Sequence, residues 1–335
     1  MNMKRLHFNI LPLALLAMVA VLTACEKTFY NDEQYRKEIY LVSDDSNIFG
    51  QEYSFGDESV GNLSIYAAGT TGIDHDVNVE LEIFPDYLRS YNQRIFGDNY
   101  SNYAKALEPS DYKIESMTAT LKAGASEPYV KLPIKVIVEN LNVDDTYFIP
   151  IRIKSVSDYM VSVAKREVLY RIFMKNEYAT TKTTTYYTMV GTEQECTESG
   201  GIFVPTGVPS SVNSTKVFTP IAKNSIRQLP GSIYSNTPSV IRNQSINVTV
   251  HPDQIIDVPV YVEGKFIGEY VKRQKVTLAT WQESSTSITV ADVDDKLSYY
   301  DPETKTFTLN YRYKLAGESV WHFMYEVSTP LSVTN

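Results

Sequence analysis

The strongest constraint on this chain is a side-chain period of two that recurs from residue 76 to residue 327. In Asp76-Val77-Asn78-Val79-Glu80-Leu81-Glu82-Ile83 the positions Val77, Val79, Leu81 and Ile83 alternate with acids and Asn. Leu132, Ile134, Val136 and Val138 repeat the pattern, as do Ile149, Ile151 and Ile153 against Pro150, Arg152 and Lys154. Successive strand residues point to opposite faces, so such stretches bury one face of an antiparallel sheet. β-Branched residues dominate the apolar set, which suits a pleated surface. Near the end, Phe307, Leu309, Tyr311 and Tyr313 alternate with Thr308, Asn310 and Arg312. Trp321, Phe323, Tyr325 and Val327 form the last run; these alternating aromatics read as strand core, with His322 on the opposite, solvent-facing side.

Other segments fill in the architecture. Ile246–Val250, Val258–Val262 and Ser287–Val290 read as strands, and Ser199-Gly200-Gly201 through Pro209-Ser210-Ser211 is rich in turn formers. One helix interrupts the pattern. Pro85-Asp86 opens it, and Tyr87, Leu88, Tyr91 and Ile95 recur at helical spacing until Gly97. The expectation is an all-β chain of two domains, a β-sandwich over 36–176 and a second antiparallel β-sandwich or β-barrel over 177–335.

The N-terminus carries a different signal. Lys4-Arg5 precedes an apolar run from Ile10 to Val21, which has secretory proportions and falls short of the ~20 residues needed to span a bilayer. Leu22-Thr23-Ala24-Cys25 then forms a lipobox. Residues 1–24 read as a lipoprotein signal peptide, Cys25 as the lipidated first residue of the mature chain, and 25–35 as a polar tether. Several acyl chains hold a protein on a membrane without spanning it. The mature chain is expected to sit on a membrane.

Composition excludes several classes. With 31 Lys+Arg against 40 Asp+Glu the formal charge is −9, and removal of residues 1–24 takes two cations and no acid. Nucleic acid is not an expected partner, because it calls for a basic face. With 2 Cys, one of them consumed by the anchor, no disulfide framework is available. No Gly-rich phosphate loop, Gly-x-Ser-x-Gly or His-Glu-x-x-His occurs. Asp74-His75-Asp76 offers three ligand types, but adjacent strand residues diverge, so a loop before Val77 is the expectation and no metal or cofactor is expected. Cys196 stands beside Glu193, Glu195 and Glu198, acids that raise a thiol pKa and make it a poor nucleophile.

Several segments carry a family resemblance: Tyr91-Asn92, Leu107-Glu108-Pro109-Ser110-Asp111-Tyr112-Lys113-Ile114, Lys122-Ala123-Gly124 and Tyr147-Phe148-Ile149-Pro150-Ile151-Arg152-Ile153-Lys154-Ser155. In order and spacing they resemble the N-terminal domain of unknown function of Bacteroidetes surface lipoproteins from polysaccharide-utilisation loci, a domain also found in front of family-18 glycosidase-like domains. The stretch Tyr300–Tyr313 resembles the family's usual partner, a Tyr-rich C-terminal β-domain. The resemblance implies an immunoglobulin-like sandwich first, an outer-membrane location with display at the cell surface, and glycan capture there. The Asp-x-x-Asp-x-Asp-x-Glu motif of family-18 glycosidases is absent, the nearest cluster being Asp292-Val293-Asp294-Asp295. Glu26-Lys27, with Asp32-Glu33 further on, is a partial version of the export signal that follows the lipidated Cys in the family.

The aromatics carry the functional expectation, in a chain with 25 Tyr. A sugar ring offers C–H groups on one face and hydroxyls at its edge, so aromatic rings stack on it while amides and carboxylates bond its rim. The candidate binding residues are Trp281, Gln282, Tyr299, Tyr300, Asp294, Asp295, Tyr234 and Asn236, while Trp321 reads as core. The expected function is a non-enzymatic lipoprotein that binds oligosaccharide for uptake by a Sus-like transport complex. The alternative is an adhesive or structural surface lipoprotein with a protein partner, and a glycoside hydrolase ranks third. Cys25→Ala should leave the protein unlipidated in the soluble periplasmic fraction. Recovery of that variant with membranes at the wild-type level would refute the anchor.

Overall fold

The computed structural model describes residues 33, 35–56, 58–281, 286–293 and 295–331. Cys25 and the preceding segment, Gln282 and Asp294 lie outside the described residues. The first half contains β1 (Glu38–Leu41), β2 (Ile48–Ser54), β3 (Ser59–Ala68), β4 (Val77–Ile83), β5 (Lys105–Ala106), β6 (Tyr112–Lys113), β7 (Thr118–Leu121), β8 (Tyr129–Val136), β9 (Tyr147–Val156), β10 (Met160–Val161) and β11 (Glu167–Lys175). One sheet runs β10-β1-β3-β8-β6 and the other β2-β11-β9-β4-β7, with β5 beside β9. These two sheets form the immunoglobulin-like sandwich. The alternating residues meet between them: Val77, Val79, Leu81, Leu132, Ile134, Val136, Ile149, Ile151 and Ile153 are all buried. Tyr53 and Tyr170 sit in the same core with hydroxyls 2.8 Å apart, and Tyr53 donates to the Ile134 carbonyl at 3.1 Å. Burial pushes the Tyr53 phenol up to about 12.

The predicted helix is present as α1 (Pro85–Phe96), between β4 and β5. It covers the outer face of β9 and β11, where Leu88 packs with Ala104, Phe148 and Leu169. Ile95 departs from expectation and points outward, 53% exposed. Asn92 is buried instead, its amide donating to the Ala104 carbonyl at 2.8 Å and accepting from the Ala104 N–H at 2.9 Å. That pair satisfies a polar backbone segment that apolar contact alone would leave unbonded. In the Asp74-His75-Asp76 loop the side chains diverge. His75 lies 2.6 Å from Asp74 and 2.9 Å from Asp158, stacked on Tyr159, whereas Asp76 pairs with Lys122.

The second half contains β12 (Thr185–Ser199), β13 (Ile202–Pro205), β14 (Ser210–Ala222), β15 (Ser225–Gln228), β16 (Ile246–Val262), β17 (Lys265–Thr280), β18 (Ile288–Asp292), β19 (Tyr299–Asp301), β20 (Thr306–Leu315) and β21 (Trp321–Pro330), with α2 (Pro238–Gln244) after β15. All its pairings are antiparallel, and β21 joins β20 to β12, so the path β12-β14-β15-β16-β17-β19-β20-β21 closes on itself. The two runs expected at Ile246–Val250 and Val258–Val262 are one strand, interrupted by a register shift between His251 and Ile255. Its hairpin to β17 turns through Glu263 (φ 49°) and Gly264 (φ 78°), and two consecutive positive φ values match the twist of the flanking strands. No helix among the described residues is long and apolar enough to cross a membrane.

The closed sheet has an inward row that hydrophobicity alone would misassign. Tyr311, Leu309 and Phe307 face in, and their partners across the ladder are Met324, Glu326 and Ser328. Glu326 is fully buried, accepting from Gln228 Nε2 at 2.6 Å and from the Tyr311 hydroxyl at 3.1 Å, with Lys216 Nζ at 3.9 Å. Lys216 itself donates to the carbonyls of Leu229 (2.7 Å) and Gly231. Burial pulls the Lys216 ammonium below its ordinary pKa, while Glu326 and Glu193 act to raise it. The parity expected for β21 is therefore reversed. His322 shares the inner side, 18% exposed, between Glu193 (2.9 Å) and Glu318 (3.4 Å) and stacked on Tyr313, while Tyr325 faces out, 39% exposed. Trp321 is buried, but on the outer side, where the Phe203 ring meets it edge-on at 5.2 Å. Cys196 is buried too; desolvation raises its pKa, and the nearby Arg312 opposes that rise.

A short, heavily bonded turn joins the halves. Asn176 donates to the carbonyls of Ala222 and Ser225, both at 2.8 Å, and accepts from the N–H groups of Tyr178 and Ala179. Tyr178 enters the second core, its ring 5.1 Å from Tyr300 and 5.5 Å from Phe307. Arg227 clamps Asp144 of the first domain through two hydrogen bonds of 3.0 and 2.5 Å. Glu33 marks the other end of the sandwich, accepting from Thr70 N–H (2.8 Å) and Thr71 Oγ1 (2.8 Å) just past β3. The opposite end of β3, a strand of 10 residues or roughly 33 Å, adjoins Gly56, which abuts Lys223 of the second domain.

Lys216→Met should leave Glu326 as an uncompensated buried charge and cost about 3–5 kcal/mol, read as a lowered denaturant midpoint. His75 has a folded-state pKa raised above 6.5, first by its hydrogen bond to Asp74. Its stabilising contribution is fully present below the unfolded value and fades as pH rises through the folded one. His75→Gln should therefore flatten the fall in urea midpoint on going upward from pH 6; an unchanged slope would count against it.

Candidate functional site

The reversed parity of β21 sets Phe323 and Tyr325 on the outer face, beside Thr192 of β12 and Asn310 and Thr308 of β20. The far end of the β16–β17 hairpin rises alongside with Val258, Pro259 and Tyr261, and the Asp295–Leu297 segment forms the other wall. Together with Tyr299 of β19 they line an open cleft of about 490 Å³, within the roughly 300–1,000 Å³ range of small-molecule sites. Four aromatic rings, Tyr261, Tyr299, Phe323 and Tyr325, meet in it.

The polar groups are held by specific bonds. Asn310 Nδ2 donates to the Leu297 carbonyl at 2.7 Å, and Ser298 Oγ accepts from Asn310 N–H at 2.8 Å. These contacts fix the segment that presents Asp295 and Lys296 at the rim. Burial, and then the neighbouring Tyr299, hold the Tyr325 phenol above its ordinary pKa. It is therefore neutral at physiological pH, and it can both donate and accept a hydrogen bond. Such a surface can stack a ring and bond its edge.

The residues expected from sequence divide into groups. Tyr299 and Asp295 line this cleft. Tyr300, the next residue, is 1% exposed and packs 4.6 Å from Phe307, so its ring is core. Tyr234 and Asn236 line a separate cavity between α2 and β14. Trp281 is half-buried near it, its backbone N–H bonded to the Ser245 carbonyl at 3.0 Å and the Arg227 guanidinium 5.3 Å from the ring centre. Arg227 thus occupies the neighbourhood of the ring where a ligand was expected to stack. Sequence reasoning missed Tyr261, Phe323, Tyr325, Asn310 and Thr192 as lining residues of this cleft, having read Tyr325 as strand core. The available signal for Tyr261 was Tyr-Val-Glu-Gly-Lys-Phe at 261–266, a Gly-containing turn between two aromatics.

Comparison with known proteins places this fold. A family model for an N-terminal domain matches residues 35–160, and one for a C-terminal domain matches residues 166–329. No curated protein matches the sequence. Among solved structures, a Bacteroides ovatus protein of unknown function aligns at 13% identity over 88% of this chain and 94% of its own, with a TM-score of 0.56. A Bacteroides ovatus multidomain protein including DUF1735 aligns at 13% identity, 89% and 95% coverage and a TM-score of 0.54. An auxiliary nutrient binding protein of Bacteroides thetaiotaomicron aligns at 14% identity, 86% and 92% coverage and a TM-score of 0.52. At such identities the likeness is one of fold. The chain belongs to the two-domain family whose N-terminal and C-terminal models match it in succession.

Proposed function

We propose that this protein is a non-enzymatic, cell-surface lipoprotein that binds oligosaccharide in the outer cleft of its second domain and passes it to a Sus-like transport complex. The observation that carries the reading is the meeting of Tyr261, Tyr299, Phe323 and Tyr325 with Asn310 and Asp295 in one concave site. Rings supply stacking faces, and the amide, phenols and carboxylate match a rim of hydroxyls. The auxiliary nutrient binding protein of similar fold agrees with this class of activity. With Cys25 as anchor, the first sandwich acts as a spacer.

A protein partner is the second reading, favoured by the β16–β17 hairpin end, where Val262, Phe266, Ile267 and Tyr270 are exposed beside Tyr261. The two readings diverge at Tyr325, which lies in the cleft rather than at the hairpin end. All the packing described comes from Glu33 onward, so residues 26–335 suffice for binding assays. On a glycan array this fragment should retain oligosaccharide. Tyr325→Ala and Tyr261→Ala should each weaken that binding by roughly 5- to 150-fold, the equivalent of about 1–3 kcal/mol for one lost stack, without lowering the melting temperature. Unchanged affinity in both variants would remove the cleft as the site.

A further inference from the structure

We propose that the ligand of the outer cleft is a stretch of a long, uncharged glycan whose sugar rings turn relative to one another. Part of it lies in the cleft, and the next part follows an aromatic row on the β16–β17 hairpin. The choice of sugar as ligand class rests on the carbohydrate reading of the cleft; the continuity of the aromatic row does not. Strand pairing builds that row. Phe266 lies directly opposite Tyr261, and Tyr270 directly opposite Pro259. Residues opposed in this way in an antiparallel pair share a face. Tyr261 and Pro259 both line the cleft, so Phe266 and Tyr270 continue the same face beyond it. The ring centres of Tyr261 and Phe266 are 6.0 Å apart, and those of Phe266 and Tyr270 are 5.3 Å apart. All three rings are open to solvent, 60%, 45% and 59% exposed.

The apolar residues of the hairpin end are sorted by face. Val262 and Ile267 follow Tyr261 and Phe266 in the chain and so point to the opposite side. The cleft side is left with rings, and the two Tyr hydroxyls can bond a sugar's edge while the faces stack. The tilt of the rings selects the shape of the chain. Successive planes differ by 55° and 63°. A flat, ribbon-like polymer presents parallel faces and meets only one such ring at a time, whereas a chain that turns from one sugar to the next can meet all three. The tilt has a local source. Residues 267–269 of β17 oppose Val260 alone, with Gly268 at φ 86°, and a bulge of this kind increases the twist of the ribbon. Charge along the hairpin is mixed: Lys272 pairs with Asp257 at 2.6 Å, and Glu263 and Glu269 stand against Lys265. An anionic polymer would call for an excess of cations here, so the chain that fits is uncharged.

The probes are dimers to octamers of α-1,4-glucan, β-1,3-glucan and α-1,6-mannan, whose rings turn along the chain, and of β-1,4-glucan, which is flat. Each is titrated calorimetrically into residues 26–335. Affinity should rise with length in at least one turning series. Phe266→Ala and Tyr270→Ala should each weaken octamer binding by roughly 5- to 150-fold, one lost stack apiece. Neither should change the affinity of the shortest member that binds, nor the melting temperature, whereas Tyr325→Ala should weaken short and long members alike. Val262→Ser and Ile267→Ser, on the other face of the same hairpin, should change nothing. An octamer bound no more tightly than the shortest member would overturn the hairpin extension and leave the cleft standing. So would equal losses in Phe266→Ala and Val262→Ser. Binding confined to β-1,4-glucan would overturn the turning chain. Failure of all four series would overturn this inference, and a blank glycan array in addition would overturn the cleft reading itself.

Discussion

A fully buried carboxylate governs the second domain. Glu326 lies inside the closed sheet, where an unpaired charge would be prohibitive, and its bonds to Gln228 and Tyr311, with Lys216 3.9 Å away, make the position tolerable. The three partners come from β15, β20 and β14, so one side chain ties together strands that are far apart in sequence. The network also fixes register. A one-residue slip of β21 would turn Trp321, Phe323, Tyr325 and Val327 inward and Glu326 out to water, an arrangement that hydrophobicity alone would favour. Inside, however, Gln228 would then lose its acceptor and the buried Lys216 its counter-ion. Setting register is the use for which buried polar groups are best attested.

That register makes the cleft. Because the polar row faces inward, Phe323 and Tyr325 face outward beside Asn310 and Thr192, and the curled hairpin of β16 and β17 supplies the opposing wall. Gly191 serves the same pairing from β12. A Cβ there would collide with the Tyr325 carbonyl, so the close approach of the two strands needs glycine. At the other end, Tyr178, Asn176 and Arg227 join the two domains through a ring, an amide and a guanidinium. A junction of this kind is fastened at several points rather than hinged on a loose linker.

Much of the fold was legible in the sequence because one-sided burial leaves a simple trace. β4, β8, β9 and β20 were readable from alternation, and α1 from Pro85, its apolar spacing and Gly97. The same rule failed at β21, since it assigns the larger apolar set to the core and has no means of knowing that a buried Lys216 awaits Glu326 on another strand. β17 left almost no trace, because most of its residues are exposed and a strand without a buried face has no period to read. The candidate site was legible in part. Tyr299 and Asp295 were found beside a turn, but Tyr261, Asn310 and Thr192 belong to strands separated by up to 118 positions and meet only through pairing. Tyr300 differs from Tyr299 by one residue and one strand face, and that alone puts it in the core.

The chemistry of the cleft also bears on how such a protein would work. Its aromatic rings are neutral, and Asp295 and Lys296 stand at the rim as opposite charges, so Coulomb attraction contributes little to capturing an uncharged glycan. Affinity must come from stacking and from hydrogen bonds exchanged with water, each worth little net. A site of that kind binds a single short ligand weakly. Under the proposed function, display of many copies on one membrane would let a polymer engage several at once, and linkage would raise avidity without any new contact. The anchor and the shallow aromatic cleft would then be parts of one physical argument: weak sites become effective when they are tethered together.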